Sequence, residues 1–138
     1  MSDSGTNLSQ SSHAAEPEYL EVVAAVLERR GRWLLARRPA DKQHGGLWEF
    51  PGGKADANEP LAQALQRELL EELALQAVDV GAELGVHCAG QLRLHFFSVT
   101  TESAPIALEH DALGWFRPDE AQALDLAPLD RAFLSGFV

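Results

Sequence analysis

The chain has 138 residues, 46% of them hydrophobic and 23% charged, which suffices for one domain with a real core and is too short for two. Acids outnumber bases 21 to 11, a formal net charge of −10. That balance argues against a broad grip on nucleic acid polymers or anionic lipid, but leaves room for a small phosphate ligand neutralised by a divalent cation. A single cysteine, Cys88, excludes an internal disulfide and a cysteine-rich zinc site, and suits a reducing compartment, read here as the cytoplasm.

Met1 to Glu18 is rich in Ser, Asn, Gln and Gly, has no basic start or apolar stretch of a secretory signal, and buries too little apolar surface to offset chain entropy. It is expected to be a disordered tail, with the folded unit running from Tyr19 to Val138. No apolar run reaches the roughly 18 residues of a membrane helix, so no membrane partner is expected.

In chain order, Leu20 to Leu27 reads as a buried strand rich in Val and Leu. A turn at Gly31 follows, then a returning strand from Trp33 to Arg38. Pro39 to Gly46 is a polar loop and Leu47 to Phe50 a short apolar segment. Pro51-Gly52-Gly53 breaks the backbone sharply. Glu59 to Leu73 is the clearest helix: Leu61, Leu65, Leu69 and Leu73 recur every four residues, Pro60 suits a first turn, and Asn58 is a candidate N-cap. Strands are expected over Val78 to Val86, Leu92 to Thr100 and Ala112 to Phe116. Short helices should open at Pro118 and Pro128. The order predicts an α/β fold, a sandwich with a mixed sheet between helices.

The basic residues are clustered, with Arg29, Arg30, Arg32, Arg37, Arg38 and Lys42 within positions 29 to 42. They form either a solvated hairpin or an anion contact beside an acidic pocket.

Chemistry concentrates in the helix. Glu68, Glu71 and Glu72 stand at i, i+3 and i+4, within an arc of about 100°. Like charges so placed repel. A hard divalent cation, Mg²⁺ or Mn²⁺, reverses that sign; a solvated acidic face is the plain alternative. The run Gly53, five residues, Glu59, seven residues, then Arg67-Glu68-Leu69-Leu70-Glu71-Glu72-Leu73-Ala74-Leu75 resembles the Nudix box, with Ala74 in place of the box's second glycine. Leu47-Trp48-Glu49-Phe50-Pro51-Gly52-Gly53-Lys54 is similar to the MutT-type branch, and Leu126-Ala127-Pro128-Leu129-Asp130 to its nucleotide and CTP pyrophosphohydrolases. The resemblance runs from Val22 to about Leu134.

That resemblance implies a Nudix-type α/β/α sandwich. It also implies hydrolysis of a diphosphate by attack of water on phosphorus, assisted by Mg²⁺ or Mn²⁺. By the same likeness, Glu68, Glu71 and Glu72 hold metal, Gly52 offers its carbonyl, and Glu109 adds a carboxylate from a loop. Glu68 is also the candidate base. Glu59 and Arg67 correspond to a structural ion pair. Arg38 matches a phosphate-contacting arginine, Glu49 a substrate contact, and Asp130 a base-reading acid whose plain alternative is a helix first-turn acid. Phe96, Phe97, Trp48 and Trp115 are base-stacking candidates that more often serve a core. His44, His87, His95 and His110 lack metal-ligand spacing and read as loop or surface residues. Alanine at position 74 should cost on the order of 1 kcal/mol where glycine suits a left-handed exit, or let the helix run on.

The activity so implied is conversion of a (deoxy)nucleoside triphosphate to monophosphate and pyrophosphate, cleansing the pool of 8-oxo-dGTP or hydrolysing cytidine nucleotides. Two alternatives stand beside it: hydrolysis of ADP-ribose, nucleotide sugars or dinucleoside polyphosphates, and a silent domain that only binds nucleotide.

Overall fold

A computed structural model describes residues 18–137; of the expected tail, only Glu18 falls among them. The elements are β1 (Leu20–Arg29), β2 (Arg32–Arg37), β3 (Trp48–Glu49), β4 (Gly52–Lys54), α1 (Leu61–Leu73), β5 (Asp79–Ala89), β6 (Leu92–Thr100), β7 (Ala112–Phe116), α2 (Pro118–Gln122) and α3 (Pro128–Ser135).

β1 is the hub. It pairs in parallel with β6, from Leu20↔Leu92 to Leu27↔Val99. Along its other edge it meets β4 antiparallel near its start and β2 antiparallel at its end. The main path runs β3-β2-β1-β6-β5, with β4 on β1 and β7 on β2. One parallel pair among antiparallel ones makes the sheet mixed, as expected.

Side chains alternate across a strand, and β1 buries both sets. Val23, Ala25 and Leu27 pack with Ala64, Leu65, Leu69 and Leu73 of α1. Ala24 and Val26 face the other layer, with Phe50, Phe96, Ala121 and the α3 residues Phe133 and Leu134. A strand covered on both faces reads as an unbroken apolar run, which is why Leu20 to Leu27 stood out. The result is the predicted α/β/α sandwich.

Two local readings change, and a third resolves between its alternatives. The β1–β2 turn holds two residues at positive φ, Arg30 (53°) as well as Gly31 (76°), the pattern of a two-residue hairpin with right-handed twist. The helix begins at Leu61, with Pro60 at its N-cap and no side-chain cap; Asn58 instead takes positive φ (63°). Glu59 is occupied in a tight turn, where its N–H reaches the Asp56 carbonyl at 3.0 Å and its carboxylate accepts the Asp56 N–H at 2.8 Å. At the far end Ala74 adopts the left-handed exit at φ 57°. Its N–H bonds the Leu70 carbonyl (3.0 Å) and the Leu75 N–H bonds the Leu69 carbonyl (3.2 Å). The helix therefore stops where a glycine would stop it, and alanine bears the strain.

Candidate active site

The box begins inside β4, where Gly53 pairs with Val23 of β1. A Cβ on Gly52 would overlap the Val23 carbonyl, and one on Gly53 would overlap the Glu68 carboxylate. Gly52 requires glycine because backbone approaches so closely, whereas a side chain at Gly53 would displace the Glu68 carboxylate.

Arg67 gathers the loop and the helix. Its Nε and Nη2 donate to the two Glu59 oxygens, both at 2.9 Å, and Nη2 also donates to the Lys54 carbonyl at 3.0 Å. Such a fork is strong and directional. It holds the Glu59 carboxyl down to about 2, and its own pKa rises in return. The structural pairing expected for Glu59 and Arg67 is thus in place. Arg67 does more than expected: Nη1 also donates to Glu68 at 3.1 Å and to Glu71 at 3.3 Å.

The three helix glutamates differ in setting. Glu71 is more than half exposed and leans on Arg67. The Glu68 carboxyl is mostly buried, and burial pushes its pKa up against the pull of Arg67. Glu72 is buried deepest; burial first, then the charges of Glu68, Glu49 and Glu109, push it up to about 8. Its Oε1 is buried without a hydrogen-bond partner among the described residues.

Two adjoining clefts carry most of the remaining candidates. One, of about 280 Å³, is lined by Arg38, Pro39, Lys42, Glu49, Glu72, Glu109 and His110. The other, of about 100 Å³, is lined by Val22, Val23, Ala24, Arg38, Glu49, Phe50, Gly52, Gly53, Leu94 and Asp130. Arg38 and Glu49 belong to both and form the wall between them. Roomier grooves, of about 450 Å³ beside Gln66 and Leu70 and about 590 Å³ beside Arg29 and Trp115, have no acidic side chain in their lining. They lack the donors that the carboxylate chemistry needs.

In the wall, Arg38 Nη1 stands 3.3 Å from both Glu49 oxygens, and its Nε donates to the Gln43 carbonyl at 2.7 Å. Glu49 Oε2 accepts from His110 Nε2 at 2.9 Å. Asp130, in the first turn of α3, is buried, and its Oδ1 accepts the Phe50 N–H at 2.8 Å. Burial pushes its carboxyl up to about 8.

Hard oxygen donors, the partnerless Glu72 Oε1 and the crowding of Glu49, Glu68, Glu72 and Glu109 all fit a divalent cation. As the side chains stand, no three His, Cys, Asp or Glu groups among the described residues form a ready cage, because Glu68 and Glu71 are turned to Arg67.

His95 departs from the loop-or-surface reading, and His110, though on a loop, has a buried side chain. His95 is buried on β6 between Glu21 (2.7 Å) and Glu83 (3.2 Å). His110 is buried in the cleft wall. No local signal points to His110's partner, Glu49, which lies 61 residues earlier. Lys42 also lines that cleft, from the basic cluster. Phe96 and Phe97 are core residues, and Phe96 stacks on Phe133 at 4.1 Å. The small cleft has Phe50, Leu94 and Val22 for apolar walls instead.

Comparison with known proteins agrees with this geometry. The NUDIX domain model matches residues 18–137. The chain is 44% identical over 124 residues to a CTP pyrophosphohydrolase of Escherichia coli, covering 86% of this chain and 91% of that protein. It is 44% identical over 57 residues to an 8-oxo-dGTP diphosphatase of Proteus vulgaris, covering 41% of this chain and 51% of the relative. The crystal structure of a MutT NUDIX hydrolase from Burkholderia pseudomallei superposes with a TM-score of 0.67 at 27% identity, covering 88% of this chain and all of that one. The match spans the fold, both clefts and the carboxylate helix together: the chain belongs to the Nudix family.

Proposed function

We propose that the protein hydrolyses a (deoxy)nucleoside triphosphate to the monophosphate and pyrophosphate, with Mg²⁺ or Mn²⁺, as a nucleotide-pool enzyme acting on oxidised guanine or cytidine nucleotides. The observation that carries this reading is the shared wall: Arg38 and Glu49 border both the acidic cleft and the buried Asp130 pocket. A phosphate chain and a base therefore have adjoining places.

Glu68, Glu71, Glu72 and Glu109, with the Gly52 carbonyl, are the groups that would hold the cation. Once bound, it neutralises charge developing on the phosphates. Arg38 presents its fork to phosphate oxygens, exchanging its long contacts to Glu49 for charged acceptors. Glu68 takes the proton from the attacking water. The water oxygen bonds to phosphorus as the phosphoanhydride P–O bond breaks, and pyrophosphate leaves. At neutral pH a protonated Asp130 offers one O–H donor and retains acceptor capacity, so it can pair with a base edge that presents both. Phe50 and Leu94 exclude water beside it.

The test is a panel of nucleoside triphosphates, nucleotide sugars and dinucleotides with Mg²⁺, scored for pyrophosphate. Pyrophosphate from triphosphates is expected. Two monophosphates from a dinucleotide, with no triphosphate turnover, would overturn the choice.

A further inference from the structure

His110 has no role in the reading above, yet its side chain is 5% exposed and lies in the cleft wall. Its backbone is pinned from both sides. The Leu108 N–H donates to the Glu72 carbonyl at 3.0 Å, and the Asp111 N–H donates to the Arg37 carbonyl at 2.9 Å. Only Glu109 and His110 lie between these anchors.

Among the described residues, the ring makes one polar contact, from Nε2 to Glu49 Oε2 at 2.9 Å, and Nδ1 is buried without a partner. A carboxylate accepts, so Nε2 carries a proton. Leaving a buried ring nitrogen unpaired is unfavourable. A bond serving only stability would be better made by a residue with no second nitrogen to satisfy. Among the described residues, Glu49 is held otherwise only by Arg38, at 3.3 Å from each oxygen. When Arg38 turns its charge to a phosphate, those long contacts weaken. The His110 bond is then what fixes the carboxylate at the junction of the two clefts, with Oε1 free for the substrate.

We propose that His110 is a positioning residue: its Nε2–H clamps Glu49 Oε2 so that Glu49 Oε1 and Arg38 meet the nucleotide together. This rests on the reading of Arg38 and Glu49 as substrate contacts.

The test compares His110→Ala, His110→Gln and His110→Asn. Glutamine places an N–H donor near the Nε2 position, and asparagine near Nδ1. His110→Ala and His110→Asn should raise KM for the preferred triphosphate about tenfold with kcat within about twofold, and His110→Gln should recover most of the loss. The Mg²⁺ concentration for half-maximal rate should not move. An unchanged KM in His110→Ala, no recovery in a folded His110→Gln, or a loss expressed as weaker Mg²⁺ dependence would each overturn the proposal. Nitrogen-15 NMR of the ring gives a readout independent of turnover. The Nε2–H tautomer is expected, with a shift on Glu49→Ala; the Nδ1–H tautomer contradicts it. Absence of turnover in the unaltered protein would count against the nucleotide reading alone, and the tautomer would still decide this one.

Discussion

Asp130 accepts the backbone N–H of Phe50 at 2.8 Å across 80 residues of chain. The bond joins α3 to the segment that enters the box, so the candidate base reader is also part of the seam holding the C-terminal helix to the site.

That buried acid sets a pH dependence. Its ordinary pKa of 3.8 is raised to about 8 in the fold, so between these values the folded state keeps a proton that the unfolded chain releases. Stability from this group is greatest below about pH 4 and declines as pH rises towards 8. Asp130→Asn should remove the decline. Urea unfolding at pH 5 and pH 8 is expected to show the variant gaining about 3 to 4 kcal/mol relative to the unaltered chain at the higher pH. Parallel pH profiles would contradict the buried, protonated carboxyl.

Glu59 works with the opposite sign. The fork from Arg67 lowers it to about 2, so its contribution is full above the unfolded value near 4.5 and fades as pH falls towards 2. Arg67→Met should lower the unfolding midpoint at pH 7, and the gap to the unaltered chain should narrow between pH 4.5 and pH 2. A gap that stays constant in acid would mean that packing, not the ion pair, carries the effect.

Glu72 separates stability from activity. Its Oε1 is buried and has no partner among the described residues, a cost in the absence of a cation. Glu72→Gln should leave the EDTA-treated protein at least as stable, while Mg²⁺-dependent turnover falls by about 100-fold or more. Turnover within a few-fold of the unaltered enzyme would remove Glu72 from the metal set.

Ala74 provides a prediction in the other direction. With φ at 57° it bears a left-handed conformation that glycine adopts freely. Ala74→Gly should raise stability by about 1 kcal/mol without altering kcat, as read by denaturant midpoint and steady-state rate.

The sequence was most legible where burial and spacing spoke together. β1 announced itself as an apolar run because both faces are covered, and Leu61, Leu65, Leu69 and Leu73 located α1 by their period. The carboxylate helix followed from the same register. What escaped was set by tertiary partners. Asn58 has the chemistry of a cap, but Glu59 closed a turn with Asp56 and moved the start to Leu61. His110 carries no local sign that Glu49, 61 residues earlier, will stand beside it. Arg30 at positive φ is likewise a hairpin requirement that the residue type conceals.

The exit of α1 constrains how this family member can change in length. Ile106 and Leu108 donate their N–H groups to the last helix carbonyls, those of Leu73 and Glu72, and Asp111 is tied to Arg37 two residues beyond Glu109. The segment is stitched to the helix at one end and to β2 at the other. A residue added or deleted within it must undo a stitch, so drift in loop length is barred there.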